Sequence, residues 1–163
     1  MVLATHAFAG GILAAAITAN PAVAFGIGVI SHFLLDAIPH WDYFDKLKSA
    51  RVNNDNYLDN DMVVGKYFLH DLSIIALDCL IGVVALAVII LFRTHLFWPA
   101  LLGMIGGILP DLFHFLYYKI RREPFTSIEK FHHFIHAKDR GVASIPGIAF
   151  QFAILVVIAL AVM

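Results

Sequence analysis

Runs of apolar residues alternate with polar stretches along this chain, and each run is near the length, about 20 residues, that a helix needs to cross about 30 Å of hydrocarbon. They fall at 3–19, 21–39, 67–92, 96–118 and 142–162. The first two are short and joined by Ala19-Asn20-Pro21, a tight turn that predicts an antiparallel hairpin. Their glycines, Gly10, Gly11, Gly26 and Gly28, suit helices whose backbones touch in lipid. Polar loops occupy 43–66 and 119–141, and only Arg93-Thr94-His95 separates the third and fourth runs. The pattern predicts an all-α, polytopic helical membrane protein, a single transmembrane domain over 1–163 with about five transmembrane helices.

Composition agrees with that pattern. Of 163 residues, 61% are hydrophobic and 14% charged, and the mean hydropathy of +0.84 lies outside the range of soluble globular domains. A formal net charge of -1 leaves no basic stripe for a nucleic-acid partner. The single cysteine, Cys79, sits in an apolar run, where it reads as a packing residue. Ala22-Val23-Ala24 resembles a leader-peptide cleavage site, but no Lys or Arg precedes the first apolar run as a secretory leader requires, so the segment reads as part of the mature protein.

The cations set an orientation. Lys46, Lys48, Arg51 and Lys66 lie in the first polar loop and Lys119, Arg121, Arg122, Lys130, Lys138 and Arg140 in the second, leaving only Arg93 elsewhere. With five spans both loops share a side with the N-terminus, and the positive-inside rule makes that side cytoplasmic. A prokaryotic-type inner or cell membrane, with the C-terminus outside, is the expected location.

That orientation gathers the histidines. His6 opens span one, His32, Asp36, His40 and Asp42 close span two, and His70 and Asp71 open span three. Asp111 and His114 close span four, and His132, His133 and His136 lie in the second loop, so every histidine but His95 falls on one side. Spans one and two, and spans three and four, each read as a hairpin with a ligand group entering and a Pro-led pair leaving, Pro39-His40 and Pro110-Asp111. This suggests two parallel two-helix repeats around a shared site, followed by a C-terminal helix.

An ionisable side chain alone in hydrocarbon costs about 2.5 to 3.5 kcal/mol or more, so such a gathering requires a joint explanation. His32 and Asp36 are four apart, on one helix face, with His40 a turn further and Pro39 bending the chain back. Asp111 and His114 share a face likewise. Asp78, deep in span three, either orients a ligand histidine or pairs with a hydroxyl. Phe131 to His136 reads as a short amphipathic helix on the membrane surface, with His132 as a ligand and His133 and His136 as acid–base groups. The expected metal set is thus His6, His32, Asp36, His40, Asp42, His70, Asp71, Asp111, His114 and His132. Nitrogen and carboxylate oxygen without thiolate suit a divalent metal, Zn²⁺ first and Mn²⁺ or Fe²⁺ next, as one or two ions. Such ions support hydrolysis of phosphoryl or acyl groups. No competing nucleophile motif or phosphate-binding loop is present.

At Thr5-His6, Gly28 to Asp36 and Leu109-Pro110-Asp111 with His114, the chain resembles the membrane-bound metal-dependent hydrolase family, of the LexA-regulated inner-membrane type. His132 to His136 stands in place of that family's His-Arg-Gly-x-Thr-His-Ser element. The resemblance implies a metal and a membrane.

The expected function is hydrolysis of an ester or phosphoester of a lipid or lipid-linked substrate at the cytoplasmic interface, with membrane lipids as partners. Lys119, Arg121 and Arg122 are candidates for an anionic headgroup, although the positive-inside bias alone accounts for them. A non-enzymatic divalent-metal transporter or sensor is the alternative. It predicts ionisable groups continuing to the outer side, where only His95 stands. A histidine-rich metal oxygenase ranks last, because the carboxylates are too numerous.

Overall fold

The structure, a computed structural model, describes residues 1–53, 55–136 and 144–162. Six helices carry the fold: α1 (Leu3–Ile17), α2 (Pro21–Asp36), α3 (Phe68–Leu91), α4 (Phe97–Ile120), α5 (Phe125–Ile135) and α6 (Ser144–Val162). Two-residue strands β1 (Ala50–Arg51) and β2 (Asp61–Met62) pair antiparallel in the loop between α2 and α3, with Ala50 opposite Met62.

The predicted α1–α2 hairpin forms, and Asn20 starts α2 by accepting from the Ala22 and Val23 N–H groups while Pro21 takes the first helical position. Both helices are shorter than the runs that predicted them. At 15 and 16 residues they extend roughly 22 to 24 Å, less than the hydrocarbon slab. Two helical segments, Phe68–Leu91 and Thr94–Ile120, are long and apolar enough to cross a membrane. Only 17% of the α3 apolar window is buried, unlike a soluble core helix. Leu77, Leu80, Ile81, Val84, Val88 and Leu91 stand exposed on it.

α1 lies at the centre and touches α2, α3, α4 and α6. Glycines make this possible: a Cβ on Gly28 would run into the Gly103 carbonyl, and one on Gly107 into the His6 carbonyl. Backbones of α1, α2 and α4 therefore meet directly, the packing that small residues permit where helices associate without a hydrophobic driving force. Phe8, Ile12, Leu86, Ile90 and Ala100 fill the space between α1, α3 and α4 on one side of these contacts. On the other, Leu47, Met62, Tyr117 and Tyr118 pack the first loop onto the C-terminal half of α4.

The start of α1 is finished by other elements. Val2 offers no capping side chain; instead Asp78 of α3 accepts from Leu3 N–H at 2.7 Å and Ala4 N–H at 3.3 Å. Tyr43 donates its hydroxyl to the same oxygen at 3.0 Å. Burial, and then the Asp78 carboxylate, push the Tyr43 phenol well above its ordinary value, so it remains a donor. Gln151 of α6 accepts from Val2 N–H and the Thr5 hydroxyl and donates to the Trp41 carbonyl. Asp78 thus supplies a negative charge at the positive end of α1, which removes the puzzle of a carboxylate so deep in an apolar helix.

Asp78→Leu should lower stability by about 1 to 3 kcal/mol, because two helix N–H groups and a phenol lose their acceptor. Asp78→Asn, which retains an acceptor oxygen, should recover most of the loss; thermal unfolding in detergent measures both.

Candidate metal centre

Asp36, the last residue of α2, is 1% exposed, and histidines from α1, α2, the segment after α2 and α5 surround it. Its Oδ1 lies 3.1 Å from His6 Nε2 and 3.8 Å from His40 Nε2. Its Oδ2 lies 3.2 Å from His32 Nε2, 3.0 Å from His132 Nε2 and 3.9 Å from His136 Nε2. The α-amino group of Met1 is 2.7 Å from Oδ1, and Asp111 Oδ1 is 3.8 Å from His32 Nε2. His6, His32 and His40 are fully buried, and the His6 and His32 rings stack at 3.9 Å.

Each side chain is delivered by a local feature. His6 sits in the first turns of α1, where Asp78 and Gln151 hold the backbone. His32 and Asp36 are one helical turn apart on α2. Past α2, Pro39 turns the chain so that His40 returns toward the carboxylate. His132 and His136 lie one turn apart along and just past α5, facing the cluster, while Phe131 and Phe134 point outward, 51% and 79% exposed.

Hydrogen bonds behind the rings fix their protonation. His32 Nδ1–H donates to the Gly107 carbonyl at 2.8 Å, and His40 Nδ1–H to the Ile38 carbonyl at 2.7 Å. A carbonyl accepts only, so the proton of each neutral ring sits on Nδ1 and Nε2 turns a lone pair to the cluster. Burial, and behind it the Met1 ammonium, hold His40 below the ordinary imidazole value, in the neutral form that a metal binds. Lone pairs aimed at a carboxylate repel it unless a cation stands between them. His6 Nε2 and His40 Nε2 are buried and have no hydrogen-bond partner. The donor set therefore fits a divalent metal. Four overlapping groups have ligand atoms within 4.8 Å of one another: His6, His32 and Asp36; His32, Asp111 and His132; Asp36, His132 and His136; and His40, Asp42 and His136.

Other expected site residues are placed differently. Asp71 accepts from Ser49 N–H at 2.6 Å and from His70 Nδ1 at 2.9 Å, and the His70 side chain is 52% exposed. That pair ties the first loop to α3 and belongs to none of the four groups. His114 has both nitrogens engaged, Nδ1 with Glu129 at 2.6 Å and Nε2 with the Tyr118 hydroxyl; its ring lies 5.6 Å from that of His132. His133 lies face to face with Tyr57 at 3.6 Å. His136, expected as an acid–base group, stands among the candidate ligands. Two of the three headgroup candidates hold the loop in place: Lys119 bonds Asp61 and the Met62 carbonyl, and Arg121 the Leu58 and Asn60 carbonyls. Sequence reasoning passed over Glu129, Tyr118 and Gln151. Glu129, three residues before His132, and Gln151, an amide inside an apolar run, were the available signals.

The cluster is level with Asp78 in α3 and Gly107 in α4, each about ten residues, or about 15 Å, from the start of its helix. It lies beside the middle of the two long helices rather than at their ends.

Asp36→Ala and His32→Ala should each weaken divalent-metal binding by about tenfold or more, whereas His70→Ala should leave it within about twofold. Metal analysis after equilibrium dialysis reads all three. No family model, curated protein or solved structure matches this chain.

Proposed function

We propose that this chain is a five-span membrane protein whose Asp36 cluster is the metal centre of a hydrolase acting on an ester or phosphoester of a lipid or lipid-linked substrate. The observation that carries this reading is one buried carboxylate encircled by five imidazoles at the mid-depth of an apolar bundle. When bound, Zn²⁺, or Mn²⁺ or Fe²⁺ in its place, activates water and polarises a phosphoryl or acyl oxygen. The resemblance to the membrane-bound metal-dependent hydrolase family, carried by the Ser31-His32 to Asp36 stretch, points the same way.

The chain's own residues have separable tasks in this reading. His6, His32, His40, His132 and His136, with Asp36, Asp42 and Asp111, hold the metal. His114, anchored on Glu129 and Tyr118 beside His132, moves a proton at Nε2 in place of the stacked His133. The Asp111 side chain, 33% exposed, marks the side from which a substrate reaches the cluster. Leu112 next to it and Phe131 next to His132 are exposed and apolar, a rim suited to acyl chains. α1, α2 and the last helix complete the five spans, their shorter length matched by the polar residues that cover the cluster, and the loop cations put the N-terminus in the cytoplasm.

A transporter needs ionisable groups beyond the centre. From the cluster to the far end, α1 after His6, α2 before His32 and α4 before Asp111 carry none, which favours hydrolysis over transport.

Purified protein loaded with Zn²⁺ or Mn²⁺ should hydrolyse at least one of three probes in mixed micelles: a phosphomonoester lipid, a phosphodiester lipid and a carboxylic ester lipid. Activity should vanish with chelator, return with metal and fall by at least about a hundredfold in Asp36→Ala. Metal binding without chelator-sensitive turnover of any probe would contradict the hydrolase reading.

A further inference from the structure

The cluster holds more ligand groups than one ion uses, and they divide. Four ligands complete the usual zinc shell, yet eight side chains enter the four groups of potential ligands. Two of those groups share no member: His32, Asp111 and His132 stand apart from His40, Asp42 and His136. His6, His32 and Asp36 are likewise disjoint from His40, Asp42 and His136. One ion at either of the first positions therefore leaves the last set intact for another.

Asp36 stands between the sets. Its Oδ1 faces His6 of one and His40 of the other, and its Oδ2 faces His32 and His132 of one and His136 of the other. The group formed by Asp36, His132 and His136 joins the two. A carboxylate contacted from both sides suits ions about 3.5 to 4 Å apart, the spacing of two-metal hydrolytic sites. Buried ring nitrogens without a hydrogen-bond partner occur on both sides, on His6 and His132 of one and at His40 Nε2 of the other.

Resting on the metal reading above, we propose that the cluster is a two-ion centre. His6, His32, Asp111 and His132 hold one divalent ion, His40, Asp42 and His136 hold the second, and the Asp36 carboxylate is shared between them. The two positions are not equivalent. The first draws on α1, α2, α4 and α5 and lies inside the bundle, whereas the second uses the segment just after α2 together with the end of α5. The second ion is therefore the one nearer the polar loops and the one that leaves first on chelation.

The test uses the full chain in detergent, stripped with chelator and reloaded with Mn²⁺. Elemental analysis counts the ions after desalting, and low-temperature electron paramagnetic resonance reports whether they interact. The expected result is two Mn²⁺ per chain with the signature of an exchange-coupled pair. Asp42→Asn, which preserves side-chain size, and His40→Ala should each halve the count and convert the spectrum to that of an isolated ion. Circular dichroism on the same samples confirms folding of the variants. One ion per chain in the unaltered protein, or two without exchange coupling, would overturn the shared-carboxylate centre. A single ion would leave the hydrolase reading standing, while no ion at all would remove both.

Discussion

An ionised carboxylate cut off from water is tolerated only if the groups around it supply the charge and hydrogen bonds that water gave up, and Asp36 imposes this condition on the whole fold. It ends a helix whose only other polar residues are Ser31 and His32, and it is 1% exposed. The protein meets the condition by bringing imidazoles from α1, α2, the segment after α2 and α5 to one point. Once they are there, the tautomers fixed by Gly107 and Ile38 turn Nε2 lone pairs inward, and a divalent cation becomes the complement of the site.

Bringing α1 to that point creates a second problem, since a helix beginning inside an apolar bundle has N–H groups with nowhere to go. Asp78 and Gln151 solve it from neighbouring helices. The close glycine contacts with α4 then bring the His6 carbonyl against Gly107, the residue whose own carbonyl orients His32. Buried polar groups in α3, α4 and α6 thus serve the same centre without belonging to it, and the loop cations Lys119 and Arg121 hold the cover above it.

The helical segments, the α1–α2 hairpin and the gathering of His6, His32, Asp36, His40, His132 and His136 were legible in the sequence, because hydropathy and loop charge sort the residues by helix end. Distances between segments were not. Nothing in the pattern says that His70-Asp71 would fasten a loop while Asp111 would join the cluster, since both are His/Asp pairs at helix ends. The difference comes from how far along its helix each stands: His70 and Asp71 open α3, whereas Asp111 is midway along α4, level with α2's end. Spans one and two were expected to run to residues 19 and 39, but the helices stop at Ile17 and Asp36, and past Asp36 the chain turns so that His40 reaches the carboxylate.

The central claim is that histidine nitrogens around Asp36 bind a metal directly. X-ray absorption at the zinc edge of zinc-loaded protein tests it. The account predicts a nitrogen and oxygen shell at about 2.0 to 2.1 Å with the outer-shell scattering of several imidazole rings, diminished in His32→Ala. An oxygen-only shell without imidazole scattering, unchanged by that substitution, would contradict it.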